Sequence, residues 1–413
     1  MPHFSFSRDI RYTLGEIKLR GYKSIEELTT SVKPGLNILI GKNGAGKSNF
    51  FEFLTAINST LYSPEQIPYK SAELVFSSDT GSSFKFGISK LQLKNSDEDS
   101  LELPYRLFME VDDQLVYDST SEDLSMIAVN GSRIFTPRNL AALFRRLQIR
   151  YPGSRYIGFG YPDNVKGLSQ PMSIDIPFEQ EDFWYLIGTD ALLLDDALNN
   201  FESALQKVYD NLGDLEDGTE DEKYAQIVSE LNSESFLRYA QLDEQALENL
   251  KKFSPIQDVR INENMSFYKS DKHIVADNIR LDFLVNDNWL PWSHLSDGTK
   301  RLLILITEIT LRPDSLILVE EPELGVHPHQ FDLVMQFLKE QSRTQQIIVS
   351  THSPKALDIF EEDELDRIML ASYDKRFGTK ISHLNEQQIE KALGYMQEVG
   401  FLSDYWLLSD LES

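Results

Sequence analysis

The stretch LNILIGKNGAGKSNFFEFLTAI, residues 36–57, places a glycine-rich loop between an apolar run and an amphipathic segment. Leu36–Ile40 is a short apolar run of the kind found in buried strands, and apolar residues recur with helical spacing from Phe50 to Ile57. The glycines between them permit a loop whose backbone N–H groups surround an anion at a helix N-terminus. The stretch therefore predicts a strand, a phosphate-binding loop and a helix in direct succession.

This loop, Gly41–Ser48, fits the pattern G-x-x-x-x-G-K-[ST], which binds nucleoside triphosphates. Lys47 is predicted to reach the β- and γ-phosphates, and the Ser48 hydroxyl is predicted to bind Mg²⁺. Because the flanking strand and helix also match the pattern, a chance glycine-rich turn is a poor alternative. The predicted contacts to the nucleotide are Gly41, Asn43, Gly44, Gly46, Lys47, Ser48 and Asn49.

The composition is that of a globular protein without a membrane segment. Of the 413 residues, 41% are hydrophobic and 26% are charged, and no apolar run approaches the roughly 18 residues of a membrane helix. The first residues lack the pattern of a secretory signal. The chain has no cysteine, which excludes a disulfide framework and thiolate zinc sites. We therefore expect a cytoplasmic protein.

The charge of the chain is strongly negative, at −26 with a pI near 4.7. A field of this sign repels phosphate backbones, so the whole surface does not serve as a general nucleic-acid coat. One segment, residues 133–155, has no acid and six arginines, namely Arg133, Arg138, Arg145, Arg146, Arg150 and Arg155. Two interpretations stay open: a solvated helix face paired with acids elsewhere, or a surface for nucleic acid or an acidic partner.

The chain is predicted to have an α/β fold with a mixed central sheet, in three segments. Residues 1–180 hold the loop and, from about residue 74 to 118, alternating segments that predict an antiparallel β-subdomain. Residues 190–252 carry 16 acids and 5 bases, with two predicted helices that span about 194–212 and 224–250. This segment is predicted to be an inserted helical lobe, too short for an extended coiled-coil arm. Residues 253–413 return to alternating strands and helices.

Three motifs in the last segment point to hydrolysis. The stretch SLILVEEPELGVHP, residues 315–328, ends an apolar run in adjacent carboxylates, which are costly there unless solvated, paired or holding a metal. Attack of water on a γ-phosphate needs neutralised charge and a carboxylate that orients the water, and Glu321 at a strand end has that position. His352, in IIVSTHSP, ends a neighbouring strand and could bond to the same phosphate. Ser296, in LSDGTK, could by itself be only a helix N-cap.

Taken together, these motifs resemble the ABC-type ATPases that include RecF, SMC, Rad50 and overcoming-lysogenization-defect (OLD) proteins. The chain looks most like the compact bacterial AAA15 and AAA21 ATPases, over Glu16–Phe50 and Leu295–Leu411. The resemblance implies an ABC/SMC-type head that binds ATP and Mg²⁺. It also implies a homodimer or higher homo-oligomer in which two subunits enclose two nucleotides, with slow turnover.

The resemblance also implies roles for single residues. LSDGTK matches the signature motif, and its Ser296 and Gly298 match positions that contact the γ-phosphate bound by the opposing subunit. Lys23, in GYKSI, matches a basic position that can lie near the phosphates. The glutamine of the Q-loop is either Gln92 or Gln148, and the sequence leaves this choice open.

The paired glutamates take separate roles in the same comparison. Glu320 matches the metal-associated acid, where aspartate is usual, and Glu321 matches the catalytic glutamate. LGVHP matches the D-loop region, and His352 matches the histidine that senses the γ-phosphate. The catalytic residues are therefore predicted to be Glu321, His352 and Lys47, with Ser48 and Glu320 at the metal.

Two functions are compatible with this set of residues. The leading hypothesis is an ATP-gated dimeric switch that controls a separate effector protein, a nuclease or toxin, in prokaryotic anti-phage defence. Because residues 353–413 are too few for the nuclease domain of OLD proteins, we expect the effector on another chain. The alternative is a RecF-like DNA-repair or DNA-clamping ATPase that binds nucleic acid through residues 133–155, with an affinity that falls steeply with salt.

Overall fold

The computed structural model describes residues 12–60, 67–79, 81–91, 105–121, 127–129, 132–134, 154–157, 166–177, 191–212, 219, 221–222, 225, 227, 229, 232–270, 273–312 and 316–408. Contacts group the chain into two compact units. The first comprises Met1–Gly158, Asp314–Glu323 and Leu338–Ser413, and the second Phe159–Pro313 and Leu324–Phe337. The predicted segments 1–180, 190–252 and 253–413 do not coincide with these units, and their division stays a prediction.

Along the described residues, strands come in long runs between the helices. The strands are β1 (Tyr12–Tyr22), β2 (Ile25–Ser31), β3 (Leu36–Ile40), β4 (Ser71–Ser78), β5 (Ser83–Lys90), β6 (Tyr105–Val111), β7 (Gln114–Asp118), β8 (Ile127–Val129), β9 (Ser132–Ile134), β10 (Ser154–Ile157), β11 (Met172–Pro177), β12 (Asp258–Ile261), β13 (Ser266–Ser270), β14 (His273–Ile279), β15 (Leu281–Val285), β16 (Asn288–Pro291), β17 (Leu316–Glu320), β18 (Gln346–Thr351), β19 (Ile368–Asp374) and β20 (Gly378–His383). The helices are α1 (Lys47–Thr60), α2 (Leu192–Leu212), α3 (Ser233–Tyr239), α4 (Glu244–Phe253), α5 (Asp297–Leu311), α6 (Pro328–Gln341), α7 (Glu386–Glu398) and α8 (Leu402–Leu408). Strands β4 to β11 come before the second helix, and β12 to β16 come before the fifth. Within the described ranges, no helix has the length and apolar character needed to cross a bilayer.

A large mixed sheet forms the first unit. Its order among the described strands is β10-β17-β18-β3-β19-β20-β2-β1-β4-β5-β6-β7. The five strands from β10 to β19 in this order are parallel, so their carboxyl ends meet at one edge. β3 and β18 are buried along their whole length, as expected for parallel strands covered on both faces. The α/β fold with a mixed central sheet is therefore confirmed.

The predicted antiparallel β-subdomain is also present, and it continues the same sheet. Strands β1, β2 and β4 to β7 pair antiparallel, which confirms the antiparallel strands predicted around residues 74–118. The link to the parallel part is one residue pair between β2 and β20, Ile25 with Gly378. Gly378 has φ +72°, and a Cβ there would lie 2.2 Å from the Ser24 carbonyl oxygen. Only glycine allows this close approach.

Helix α1 starts at the end of the loop and is held by aromatic packing. Its residues Phe50, Phe51, Phe53, Leu54 and Ile57 are buried. The rings of Phe53 and Tyr69 meet edge to face with centroids 5.5 Å apart. Each fully buried phenylalanine contributes about 1.5–3 kcal/mol relative to an exposed one. This packing fixes the N-terminus of α1, and with it the loop, against the sheet.

The second unit combines two three-stranded antiparallel sheets, β11-β14-β13 and β12-β15-β16, with helices α2 to α5. The predicted helix at residues 194–212 is confirmed as α2, and its Phe201 packs on Phe236 of α3 with ring centroids 4.6 Å apart. The prediction of one continuous second helix, at about residues 224–250, was wrong. The segment is interrupted at residues 240–243 because Asp243 caps α4, its carboxylate accepting from the Ala246 N–H at 2.7 Å.

Candidate active site

The loop Gly41–Ser48, called the phosphate loop from here on, binds the side chain of its own Lys47 through backbone carbonyl groups. The Lys47 ammonium donates to the carbonyl oxygens of Gly41 at 2.6 Å and Lys42 at 3.2 Å. Lys47 is only 6% exposed, so its charge depends on these polar partners. The loop is closed by the Ala45 N–H, which donates to the Lys42 carbonyl at 3.1 Å. Lys47 is thus held at the N-terminus of α1, as the sequence predicted.

Two glycines of the phosphate loop are required by close packing on the β19–β20 hairpin. A Cβ on Gly41 would lie 2.2 Å from the Ala371 carbonyl oxygen, and one on Gly46 would lie 2.0 Å from the Thr379 hydroxyl. Gly46 also has φ +94°, in the region that favours glycine. Asn43 and Gly44 are exposed at the tip of the loop. The hairpin therefore supports the loop from one side and leaves its tip open.

Glu320 at the end of β17 joins two hydroxyl groups from distant parts of the chain. The Ser48 hydroxyl donates to Glu320 Oε1 at 2.5 Å, and the Tyr156 hydroxyl of β10 donates to Oε2. Burial raises the pKa of Tyr156, and the hydrogen bond to Glu320 and the nearby charge of Glu321 raise it further. The phenol therefore stays a proton donor. The structure brings Ser48 and Glu320 together, as predicted, while the sequence assigned Tyr156 no role.

The oxygen atoms of Ser48 and Glu320 form a donor set that fits Mg²⁺. Both are hard oxygen donors, and Mg²⁺ is usually bound by one or two carboxylates together with phosphate oxygens and water. In the described part of the chain, no group of three or more His, Cys, Asp or Glu could hold a metal ion by itself. The pair therefore suits a metal that a bound nucleotide helps to hold.

Glu321 has an unusual backbone conformation beside His352. Its φ is +45°, and its N–H donates to the Ser350 carbonyl of β18 at 2.7 Å. A residue other than glycine in this region costs on the order of 1–3 kcal/mol, and such residues cluster at active sites. Its carboxylate Oε1 lies 3.6 Å from Nδ1 of His352. The two predicted catalytic side chains are therefore neighbours.

Glu323 connects the end of β17 to the end of β18. Its Oε1 accepts from the Thr351 hydroxyl at 2.5 Å and from the His352 N–H at 3.1 Å, and lies 3.2 Å from His352 Nδ1. Its Oε2 is buried without a hydrogen-bond partner among the described residues. Glu323 thus holds His352 in place. This contact to His352 was not predicted from the sequence, although Glu323 is a third acid two residues after the glutamate pair and was a usable signal.

The turn between β1 and β2 lies beside the first turn of α1. Lys23, with φ +48°, forms an ion pair with Glu52 of α1. The Asn49 side chain donates to the Ser24 hydroxyl at 2.6 Å, and this hydroxyl lies 2.7 Å from that of Thr379. The structure therefore places Lys23 and Asn49 beside the start of α1, and their contact with a nucleotide stays a prediction.

The segment Leu295–Lys300, predicted to be the signature motif, belongs to the second unit, at the N-terminus of α5. Ser296 is exposed and caps the helix, its hydroxyl accepting from the Thr299 N–H at 3.2 Å. A Cβ on Gly298 would lie 2.8 Å from the Gly325 carbonyl oxygen. Arg301 donates to the Leu324 carbonyl. The segments predicted to be the signature motif and the D-loop, the latter Leu324–Pro328, are therefore packed on each other, and glycine is required at 298.

Some predicted residues lie outside the described residues. Both Q-loop candidates, Gln92 and Gln148, are among them. Within the arginine segment 133–155, the structure describes only two of the six arginines, and of these only the backbone. They are Arg133 in β9 and Arg155 in β10. The interpretations of the Q-loop and of this segment stay predictions.

Two protein families match this chain, and they identify its family and its activity. Residues 134–358 match the family described as "AAA domain, putative AbiEii toxin, Type IV TA system". The chain belongs to this family of AAA-domain ATPases. Residues 13–217 also match the family described as "AAA ATPase domain". The predicted resemblance and the predicted ATPase activity are therefore confirmed, and the residues around Lys47, Glu320 and Glu321 belong to an ATPase.

Two relatives of this AAA-domain ATPase match at the level of sequence. The Retron Vc95 probable ATPase of Vibrio cholerae serotype O1 biovar El Tor is 22% identical over 419 aligned residues, which cover 93% of this chain and 79% of the relative. An uncharacterized protein of Methanocaldococcus jannaschii is 35% identical over 88 residues, which span 20% of this chain and 22% of that protein.

Solved structures that match this AAA-domain ATPase include two SMC heads. The SMC head domain from Thermotoga maritima has 13% identity and a TM-score of 0.43, covering 90% of this chain and 99% of the other. An Smc head domain with an extended coiled coil, bound to the C-terminal domain of ScpA and derived from Pyrococcus furiosus, has 14% identity and a TM-score of 0.46, covering 94% and 100%.

Proposed function

We propose that this AAA-domain ATPase is a dimeric switch, in which ATP binding joins two subunits and hydrolysis separates them. The observation that carries the proposal is the convergence of Ser48, Glu320, Glu321 and His352 at one edge of the first unit. Ser296, by contrast, is exposed at the start of α5 in the second unit. An exposed helix N-terminus suits a negatively charged phosphate. We infer that Ser296 serves the nucleotide of the opposing subunit.

Each residue of the first unit has a separate task in this proposal. Lys47 and the backbone of the phosphate loop bind the β- and γ-phosphates. Ser48 and Glu320 hold Mg²⁺, which supplies charge neutralisation when bound. Glu321 orients the attacking water, and His352, held by its contacts to the neighbouring acids, contacts the γ-phosphate. The chain would therefore cycle between an ATP-bound dimer and separate subunits.

The proposed switch controls a separate effector, a nuclease or toxin, in prokaryotic anti-phage defence. Support comes from the family description, which names a type IV toxin–antitoxin system, and from the retron ATPase of V. cholerae. The absence of cysteine suits a cytoplasmic location. The RecF-like alternative depends on residues 133–155 and is not advanced, because most of that segment lies outside the described residues.

Mixing two inactive variants tests whether the signature motif acts across a dimer. Lys47→Met removes the phosphate contact, and Ser296→Arg blocks the signature motif, so each variant alone is expected to be inactive. A one-to-one mixture is expected to recover about a quarter of the wild-type rate, because half of the dimers are mixed and each keeps one intact site. The measurement is the rate of phosphate release at fixed total protein.

A second mixture provides the matched control. Lys47→Met and Glu321→Gln both damage the same side of the nucleotide site, so their mixture is expected to stay inactive. The first mixture is informative provided that Ser296→Arg binds ATP and keeps the wild-type unfolding temperature. If the mixture of Lys47→Met and Ser296→Arg then recovers no phosphate release, the proposed dimeric site is contradicted.

Tyr156→Phe is expected to weaken Mg²⁺ binding while leaving the fold intact. The change removes one of the two hydroxyl groups that hold the Glu320 carboxylate. Because glutamate is longer than the aspartate that is usual at this position, its side chain then has more rotational freedom. Outer partners of metal ligands typically contribute 10-fold or more to affinity, so we expect about a tenfold higher Mg²⁺ requirement. Calorimetric titration of a non-hydrolysable ATP analogue at varied Mg²⁺ measures it.

Tyr268→Phe is the control for this change, since Tyr268 is an exposed tyrosine in β13 of the second unit. It should leave the Mg²⁺ requirement as in the wild type. An unchanged requirement in Tyr156→Phe would show that the hydrogen bond to Glu320 does not position the metal ligand.

A further inference from the structure

The β19–β20 hairpin contacts the phosphate loop through one of its faces. Ala371 of β19 meets Gly41, and Thr379 of β20 meets Gly46. Ala371 pairs with Ile381, and both belong to the buried core that includes α1. This face, on which Ala371 and Thr379 lie, is called the loop face of the hairpin.

Tyr373 continues the loop face towards the tip of the hairpin. It lies two residues after Ala371 and is directly opposite Thr379 in the antiparallel register. Because side chains alternate along a strand and opposite residues share a face, Tyr373 is on the same side as the two residues that touch the loop. Its side chain is nevertheless 56% exposed. An aromatic ring therefore stands uncovered beside the phosphate loop.

Phe377 offers a contrast within the same hairpin. It is 57% exposed, almost the same as Tyr373, but its ring centroid lies 4.6 Å from the ammonium of Lys380. Lys380 pairs with Ser372, the residue between Ala371 and Tyr373, so it belongs to the other face. The two exposed rings of the hairpin thus lie on different faces.

The order of strands indicates where the nucleoside end of ATP would lie. Glu321 and His352, which the proposed function places at the γ-phosphate, follow β17 and β18 on one side of β3. A triphosphate bound in the loop after β3 would therefore direct its other end towards the opposite side of β3. The first two strands on that side are β19 and β20. Tyr373 stands at the carboxyl end of β19.

The hairpin is also rigid enough to present a ring. The Asp374 carboxylate accepts from the backbone N–H groups of Arg376 at 2.7 Å and Phe377 at 3.1 Å, which fixes the turn. The Thr379 N–H donates to the Ser24 carbonyl at 2.8 Å, which ties β20 to the neighbouring turn. A ring held on a fixed strand binds a planar ligand at a low entropic cost.

We propose that Tyr373 forms the base-binding surface of this ATPase, with the adenine of ATP stacked on its ring. The inference rests on the proposed function, because it uses the placement of the γ-phosphate beside Glu321 and His352. Stacking of a base on an aromatic side chain needs only the face of the ring. Tyr373 supplies such a face next to the loop that binds the phosphates.

Comparing ATP with inorganic tripolyphosphate separates base binding from phosphate binding. In Tyr373→Ala, the Kd for ATP is expected to rise about tenfold, the effect of one base–aromatic stack, while the Kd for tripolyphosphate stays unchanged. Tyr373→Phe keeps the ring and is expected to bind ATP like the wild type. Phe377→Ala is the matched control, since it removes an equally exposed ring from the other face and is expected to leave both constants unchanged.

A tryptophan variant gives a second measurement that does not depend on the alanine variant. In Tyr373→Trp, ATP is expected to quench fluorescence beyond the change seen in the wild type, and tripolyphosphate is not. Unchanged ATP affinity in Tyr373→Ala, or an equal loss for ATP and tripolyphosphate, would overturn the assignment of Tyr373. If instead the wild type and Lys47→Met bind ATP equally, the proposed nucleotide site itself fails, whatever Tyr373 does.

Discussion

Glu321→Gln is expected to lower the rate of ATP hydrolysis by about 10²–10⁴-fold and to accumulate an ATP-bound dimer. The amide has the shape of the carboxylate but cannot accept a proton from the attacking water. ATP binding should survive, because Lys47 and the phosphate loop are untouched. The backbone of Glu321 is held by the bond from its N–H to Ser350, so the substitution leaves the strand end in place.

Two measurements on this variant check the two parts of the expectation. Phosphate release gives the rate, and light scattering after size-exclusion chromatography with ATP gives the fraction of dimer. Glu386→Gln, at an exposed acid in α7, is the control and should behave like the wild type in both. Normal hydrolysis by Glu321→Gln would show that Glu321 is not the catalytic glutamate.

Lys47→Met is expected to weaken ATP binding by about 10²–10³-fold and to remove hydrolysis. Methionine keeps most of the side-chain volume in a buried position, so the packing around α1 is conserved. The variant loses the ammonium, which donates to the Gly41 and Lys42 carbonyl oxygens and is placed to neutralise phosphate charge. Loss of a charged hydrogen-bond partner in a buried site has a large effect on binding.

Calorimetric titration with ATP measures the loss, and thermal unfolding shows whether the fold is retained. Lys391→Met, at an exposed lysine of α7, makes the same chemical change away from the phosphate loop and should leave the affinity unchanged. An ATP affinity in Lys47→Met equal to that of the wild type would exclude Gly41–Ser48 as the triphosphate-binding loop.

The parts of the site that could be predicted from the sequence are those that local pattern controls. The strand, loop and helix around Lys47 follow from an apolar run, glycines and helical spacing within about twenty residues. The meeting of Ser48 with Glu320 could be predicted as well, since both follow strands expected to be parallel and to end at one edge. The break between α3 and α4 was missed because the apolar period continues across it, although Asp243 is a good N-cap residue.

The partners that the sequence did not reveal are separated by long stretches of chain. Tyr156 meets Glu320 because β10 pairs with β17 in a register that sets Tyr156 opposite Leu318. Such a register depends on hydrogen bonds between strands, and a shift by one residue would turn the tyrosine to the other face. The contact of Glu323 with Thr351 arises in the same way from the pairing of β17 with β18.

The sequence by itself therefore determined the fold class, the phosphate loop and the identity of the acids, because backbone propensities and side-chain periodicity act over a few residues. The tertiary structure alone decided which side chains meet. It placed Glu321 in a left-handed conformation beside His352, joined Tyr156 to Glu320 and turned Tyr373 to the loop face of its hairpin. Strand order and register control these contacts, and both depend on pairing between residues far apart in the chain.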